Sequence, residues 1–342
     1  MEGVSKQIVL TFVVPCYNVE HYVQHCLDSI YACDLPEADY EVLCINDCSP
    51  DNTQQMLESY ENNHDNLRIV VHEHNRGLGG ARNTGVCEAR GKYLWFVDSD
   101  DSICGQRLKN VVEAADSQRL DVLCFNYRRV GDSGKELSNH IVFQEMEAQG
   151  GYSFVKKVFG ASIVHHMGYV WRFLYRTEYL RENKFFFPEK VYWEDTVFMP
   201  KALLEADRVA SISDILYAYR VNAESISGVF VRAYPAKLIY QYAFCAGKDL
   251  LDFSNEVKDE ELKEAFRDTA VQRYINGFPI HLFRTGKGER KQFYTMIRNG
   301  KEEIKPLKRY VKLFPKMLLL PIISRPLAEV CALLYGLRHK RK

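Results

Sequence analysis

Residues 95–102, "WFVDSDDS", pass through three apolar side chains and then set Asp98, Asp100 and Asp101 within four positions. Carboxylates this close repel one another, and the repulsion raises their pKa values. A cation or a dense set of hydrogen-bond donors would relieve it. A turn with a helix cap accounts for one or two acids, since Asp and Ser favour both. Three require more. The apolar run before them, Tyr93 to Val97, reads as a buried strand, so the next question is which sheet it joins.

Outward from that strand, the first 130 residues alternate strand and helix signals. Ile8 to Val14 is a short apolar run ended by Pro15, Tyr40 to Asn46 is a second, Leu67 to Val71 a third, and 121–127 closes the series. Between them Tyr22, Val23, Cys26, Leu27 and Ile30 follow helical spacing. Ser49 is a candidate N-cap with Pro50 at the first helical position, "GARNTGVCEAR" (80–90) opens another helix, and Val111, Val112 and Ala115 continue as helix. Apolar strands alternating with helices predict an α/β protein with a mostly parallel, doubly wound sheet covered on both faces. In such sheets ligands gather beyond the carboxyl ends of the strands. Pro15 to Asn18, Asp47 to Asp51 and Asp98 to Asp101 all fall there.

The rhythm weakens from 130 to 230, where "YVWRFLYRTEYL" (169–180) and "VYWEDTVFMPKALLEA" (191–206) stand out. "RVASISDILYAYRV" (208–221) reads as a further strand pair. Residues 234–300 read as helices, with Tyr240, Phe244, Leu250 and Leu251 as core candidates. The predicted organisation is a domain over 1–230, with halves 1–130 and 131–230, followed by a helical region over 231–342.

A DxD spacing can hold a hard divalent cation, which in turn grips phosphate oxygens. "NRGLGGARNTG" (75–85) adds glycines that allow close backbone approach and arginines, Arg76 and Arg82, suited to phosphate. Together they point to a nucleotide-diphosphate site. Each alone is weak, because glycines commonly mark turns and an arginine is commonly a solvated side chain.

Composition is that of a soluble globular chain, 46% hydrophobic and 26% charged. The ten Cys form no CxxC pair and no zinc spacing. No leader is read ahead of "IVLTFVVP", so a reducing, cytoplasmic setting is expected. His72 and His74, and the pair His165 and His166, are open between metal ligands and half-buried structural side chains. The net charge of zero hides a division: from Arg284 onward 16 Lys and Arg face 4 Asp and Glu. That basic end suits an anionic partner.

Four ordered segments carry a family resemblance: "VVPCYNVEHYVQHCLDSI", "INDCSPDNT", "NRGLGGARNTGVCEARGKYLWFVDSDD" and "WEDTVF". Over roughly residues 8–228 the chain resembles the family 2 glycosyltransferases, which have the GT-A fold. The resemblance implies that Pro15, Tyr17, Asn18 and Glu20 lie in the first nucleotide-binding turn. It implies that Asp47 accepts hydrogen bonds from the base, that Arg82 lies against the nucleotide and that Asp98 holds the ribose. Asp100 would coordinate Mn²⁺ or Mg²⁺ at the diphosphate, with Arg220 as a basic residue facing it. Asp195 matches the catalytic base, although its place at a helix start also suits a cap, and Glu194 could assist or replace it. Asn46 and Cys48 depart from the usual "DDGS", Gly80 stands where Ser is frequent, and no QxxRW segment marks a processive synthase. The implied activity is inverting transfer of one sugar from a nucleotide-diphosphate sugar, with a UDP-sugar as the prior. The implied acceptor is a saccharide or lipid-linked molecule for cell-surface polysaccharide.

The basic end shapes the partner expectations. No uncharged stretch in it is longer than Met317 to Ser324, far shorter than the ~20 residues a spanning helix needs. Leu327, Val330, Leu334 and Leu337 sit at helical spacing between basic residues. An interfacial helix on the inner face of the cell membrane is expected, and a helix packed on the chain's own core is the alternative. Nucleic acid is not expected, for want of any zinc-finger, RNP or helix-turn-helix signature. Two alternatives for the whole chain are a haloacid-dehalogenase-like phosphatase using the DxD, and a non-catalytic nucleotide-binding protein. Against the first, its motif normally follows the first strand and here follows the fourth.

Overall fold

Every side chain of "LTFVVPC" and "YEVLCIN" is buried, as expected of strands covered on both faces. The computed structural model describes residues 8–159, 169–191, 193–221 and 236–270, with side chains from 246 onward in the last stretch. His165, His166 and the basic end lie outside the described residues, as do the side chains of Tyr240 and Phe244. The chain separates into two compact units, Met1–Ser225 and Ile226–Lys342.

In the first unit, β1 (Leu10–Cys16) leads to α1 (Val23–Tyr31), which buries Val23, Cys26, Leu27 and Ile30 at helical spacing. β2 (Tyr40–Asn46) leads to α2 (Thr53–Glu61). The expected cap at Ser49 is corrected: α2 begins three residues after Pro50, where Asp51 Oδ1 accepts the Thr53 N–H at 3.2 Å. Ser49 instead ties two turns together, its Oγ accepting the Asn18 N–H at 3.2 Å. β3 (Leu67–Val71), α3 (Gly77–Glu88) and β4 (Tyr93–Phe96) follow. Then come β5 (Ser102–Ile103), α4 (Leu108–Ser117), β6 (Val122–Val130), β7 (Glu136–His140) and β8 (Met146–Gln149). α5 (Gly151–Val158), β9 (Phe173–Arg176), α6 (Thr177–Glu182), α7 (Asp195–Leu204) and β10 (Val209–Arg220) follow among the described residues.

Among the described residues the strands form one ten-stranded sheet of order β3-β2-β1-β4-β9-β6-β10-β5, with β7 on β6 and β8 on β10. The first four strands are parallel, as the apolar runs require. The second half is mixed: β9 runs antiparallel to both β4 and β6, while β6 and β10 are parallel. The carboxyl ends of β1, β2, β4, β6 and β10 therefore share one edge. The expected strand pair at 208–221 is one twelve-residue strand. Its register on β6 shifts between Ser211, Ile215 and Tyr217, a bulged stretch that reads in sequence like a break. Below the shifts β10 also pairs with β8, and above them with β5. Trp95 anchors the core, its Nε1–H donating to Trp171 O at 2.7 Å, so burial leaves no orphan donor.

In the second unit, α8 (Ala236–Glu256) and helical residues 260–270 are described. Phe253 and Phe266 meet edge to face with ring centroids 5.3 Å apart. Of the core candidates here, Leu250 is fully buried, and Leu251 is half-buried.

Candidate active site

The acid loop leaves β4 at the sheet's carboxyl edge, and each carboxylate finds different company. Asp101 is buried: its Oδ2 accepts the Tyr217 hydroxyl at 2.8 Å and its Oδ1 the Arg220 N–H at 2.7 Å. It fastens the loop to β10, and burial followed by Asp100 and Asp98 pushes its carboxyl well above the usual range. Asp98 receives Arg82 Nη2 at 2.7 Å, and its N–H donates to the Tyr217 hydroxyl at 3.1 Å. The Asp100 carboxylate receives no side-chain donor among the described residues. Burial and the neighbouring Asp98 push it up to about 6. Arg220 Nε donates to Asp100 O at 3.0 Å, which brings that arginine to the same loop.

Arg82 is the hub. It is 2% exposed, between Asp98 on one side and Glu194, which receives its Nη1, on the other. The Phe187 ring lies 5.6 Å from the guanidinium. Burial works against its charge, but Asp98, Glu194 and Asp195 outweigh burial and hold its pKa above the ordinary value. Glu194 is itself buried, and burial wins over Arg82 there, raising its carboxyl. Asp195 opens α7 and is half-buried.

The glycine-rich segment receives a loop of the protein itself. A Cβ at Gly79 would collide with Pro188 O, and one at Gly77, whose φ is +77°, would crowd Lys190. Asn83 exchanges two hydrogen bonds with the Phe187 backbone, at 2.8 and 2.7 Å. The glycines let the 187–190 loop lie on α3, and that loop leads into Glu194 and Asp195. Arg76 extends the same contact by pairing with Glu189.

The first turn and Asp47 form two further groups. Pro15 is buried near the end of β1, Tyr17 is 50% exposed, and Asn18 adopts a φ of +56°. Glu20 Oε2 accepts from Asn52 N and Nδ2 at 2.9 and 2.8 Å, lacing this turn to the one after β2. Asp47 is 2% exposed and faces the start of α3, accepting the Arg76 and Gly77 N–H groups, each at 2.8 Å. His72 Nδ1 lies 2.6 Å from Asp47 and Nε2 lies 2.8 Å from Thr84, so this histidine is a buried structural partner. His74 is exposed. Cys48, in the place of the usual glycine, adopts a φ of +62°.

The fold thus gathers Arg82, Asp98, Glu194 and Asp195 in one cluster and Asp100, Asp101 and Arg220 in an adjoining one. No hydrogen bond or ion pair joins Asp47 to the acid loop among the described residues. Asp101 lies inside the recognised motif but gave no hint of its role as clamp. Tyr217 and Glu189 carried no local signal, because their roles depend on which strands and loops become neighbours. Among the described residues no three His, Cys, Asp or Glu side chains gather as a ready-made metal cage.

Residues 11–183 match the sequence model of glycosyl transferase family 2, half of the chain. The chain therefore belongs to glycosyl transferase family 2 and carries a glycosyltransferase domain over those residues. It is 31% identical over 223 residues to the uncharacterized glycosyltransferase EpsJ of Bacillus subtilis strain 168, covering 65% of this chain and 63% of that one. It is 30% identical over 270 residues to the poly(ribitol-phosphate) beta-N-acetylglucosaminyltransferase TarS of Staphylococcus aureus strain Mu50. That match covers 77% of this chain and 43% of TarS, so the chain spans about two-fifths to two-thirds of these relatives. The crystal structure of S. aureus TarS 1–349 in complex with UDP-GlcNAc superposes with a TM-score of 0.67 at 25% identity, covering 95% of this chain and 89% of that one. A Pyrobaculum calidifontis mannosyltransferase, solved with GDP-Man and Mn²⁺, shares the fold at a TM-score of 0.53 and 16% identity, covering 94% and 86%. The α/β fold is GT-A, and the phosphatase alternative gives way to this assignment.

Proposed function

We propose that the chain transfers a single sugar, with inversion, from a nucleotide-diphosphate sugar to a hydroxyl of a saccharide or lipid-linked acceptor in cell-surface polysaccharide synthesis. The observation that carries this is Arg82, bonded at once to Asp98 of the acid loop and to Glu194 beside Asp195. One buried cation ties the acid loop to a turn bearing a second acid, Asp195, and a two-substrate displacement needs a donor side and a base side held together. A UDP-sugar is the proposed donor, supported by likeness to TarS, whose structure holds UDP-GlcNAc.

In this mechanism Asp195 takes the proton of the acceptor hydroxyl as its oxygen attacks the anomeric carbon. The bond from that carbon to the phosphate oxygen breaks, the electron pair leaves with the nucleoside diphosphate, and attack opposite the leaving group inverts the centre. Glu194 is less suited to the proton, because Arg82 occupies its carboxylate. Arg220, held beside Asp100 O, would face the leaving diphosphate, and Asp98 the ribose. Asp47 would read the base through Oδ2, which receives only the Gly77 N–H among the described residues. Asn18 and Tyr17 would border the nucleotide from the first turn, Tyr17 by its exposed ring.

A divalent cation fits Asp100, whose carboxylate lacks a side-chain donor and whose proton affinity is raised by burial and Asp98. One protein carboxylate plus substrate phosphates is a usual shell for Mg²⁺. When bound, the ion supplies neutralisation of the diphosphate oxygens. The proposal extends to peripheral attachment at a membrane through the basic end, supported by its charge alone.

The test is a thermal-shift panel of nucleotide sugars with and without Mn²⁺, followed by Asp195→Asn. A UDP-sugar should raise the Tm only with metal, and the variant should keep that shift while losing transfer. Full turnover by Asp195→Asn would move the base elsewhere, and no shift with any nucleotide sugar would sink the proposal.

A further inference from the structure

On the second half of the sheet, the side chains beside the acid loop are aromatic to an unusual degree. Trp171 lies stacked on Tyr217, with centroids 4.2 Å apart and planes 9° from parallel, and it also faces Tyr219 at 5.8 Å and 13°. Tyr169 stacks on the Trp171 ring at 4.9 Å and 29°, and Tyr127 meets Trp171 edge-on at 4.9 Å. His140 stacks on Tyr127 at 4.7 Å and 6°. Trp171 and Tyr217 are buried, yet Tyr169 at the end of the stack is 39% exposed. The cluster's centre comes from Tyr169 and Trp171 of "YVWR" and from Tyr217 and Tyr219 of β10, aromatic side chains to which the nucleotide and base assignments give no role.

Two observations say what the exposed end is for. First, the stack is joined to the chemistry: the Tyr217 hydroxyl donates to Asp101 at 2.8 Å and accepts the Asp98 N–H at 3.1 Å. Tyr219 lies close enough to Asp98, Asp100 and Asp101 that burial first, and those acids with it, push its hydroxyl up to about 12. Second, neither Tyr169 nor Tyr219 spends its hydroxyl on a partner among the described residues. A ring held by Trp171 and Tyr127 and still 39% exposed offers surface already ordered, so little side-chain entropy is lost on binding. Such a face suits the apolar C–H face of a pyranose, with hydroxyl groups at the rim for the sugar's own.

We infer that Tyr169, backed by Trp171 and flanked by Tyr219, is the subsite that stacks a pyranose ring of the acceptor. This rests on the transferase proposal, because it names the partner of that same site. A nucleobase would fit an aromatic face too, but the turn bearing Tyr17, where the resemblance places the nucleotide, follows β1, which β4 separates from β9 and the segment that carries Tyr169.

The experiment applies the full chain, Tyr169→Ala and Tyr169→Phe to an array of neutral mono- to tetrasaccharides. Each protein is also titrated with UDP-GlcNAc and UDP-glucose in Mn²⁺. Tyr169 is surface-exposed, and Tyr169→Phe keeps the stack, so loss confined to the alanine variant reports the ring and not the fold. Binding of at least one saccharide, weakened about tenfold or more in Tyr169→Ala and kept in Tyr169→Phe, is expected. UDP-sugar affinity should be equal in all three. Equal saccharide binding by Tyr169→Ala overturns the subsite, as does a wild-type chain that binds no saccharide on the array. Tyr169-dependent saccharide binding without any UDP-sugar binding would keep the subsite and overturn the transferase proposal.

Discussion

Asp100 illustrates how a single residue can be costly to the fold and useful to the site. In an unfolded chain a carboxyl of this kind releases its proton near pH 4, whereas here burial and Asp98 raise the value to about 6. Folding therefore takes up a proton between those values. Raising the pH through that window removes stability, since the native state then binds more protons than the unfolded one. Asp100→Asn should melt at the wild-type temperature near pH 4 and above it at pH 7 in metal-free buffer, as thermal unfolding across that range would show. A wild-type Tm that stays level with the variant throughout would mean the carboxylate is already neutralised. In the transferase proposal the same substitution removes the metal-dependent shift with a UDP-sugar. At this scale the acid motif was legible because carboxylates crowd in sequence. Its division of labour was not: Asp101 becomes a clamp only because β10 brings Tyr217 and the Arg220 N–H to it.

Among the elements, α3 joins the two halves of the site. Its glycines admit the 187–190 loop, and its Asn83 binds that loop's backbone, so the motifs proposed for donor and base share one scaffold. Gly79→Ala would drive a methyl into Pro188 O and displace the approach to Glu194 and Asp195. A loss of about 1–3 kcal/mol in urea unfolding is expected, with transfer rate falling more than UDP-sugar affinity. A variant with wild-type turnover would show that the loop need not lie so close. "NRGLGGARNTG" was legible as a segment needing close backbone approach, but a ligand and a loop make the same demand on glycine. Likewise the bulged centre of β10 resembles a break in sequence, and only its pairing with β6 on both sides of the bulge shows one strand.

For the whole molecule, charge is the property that outlasts any single contact. The described residues hold no helix long and apolar enough to cross a membrane, while the end of the chain is strongly basic. Removing residues 301–342 should leave transfer to a soluble acceptor intact and weaken binding to vesicles containing anionic lipid, measured by co-sedimentation at low and high salt. Binding that survives the deletion would place the membrane contact elsewhere.

By itself the sequence determined the α/β class, the parallel half of the sheet and the edge at which the acids collect. These follow from local periodicity and from the rule that parallel strands share one carboxyl edge. Tertiary structure alone decided that Arg82 bridges Asp98 to Glu194, that Asp101 clamps β10 and that six rings assemble beside the acid loop. Those pairings join residues up to 119 positions apart, and the cost of leaving a buried charge or donor unpaired fixes them only once the strands are neighbours.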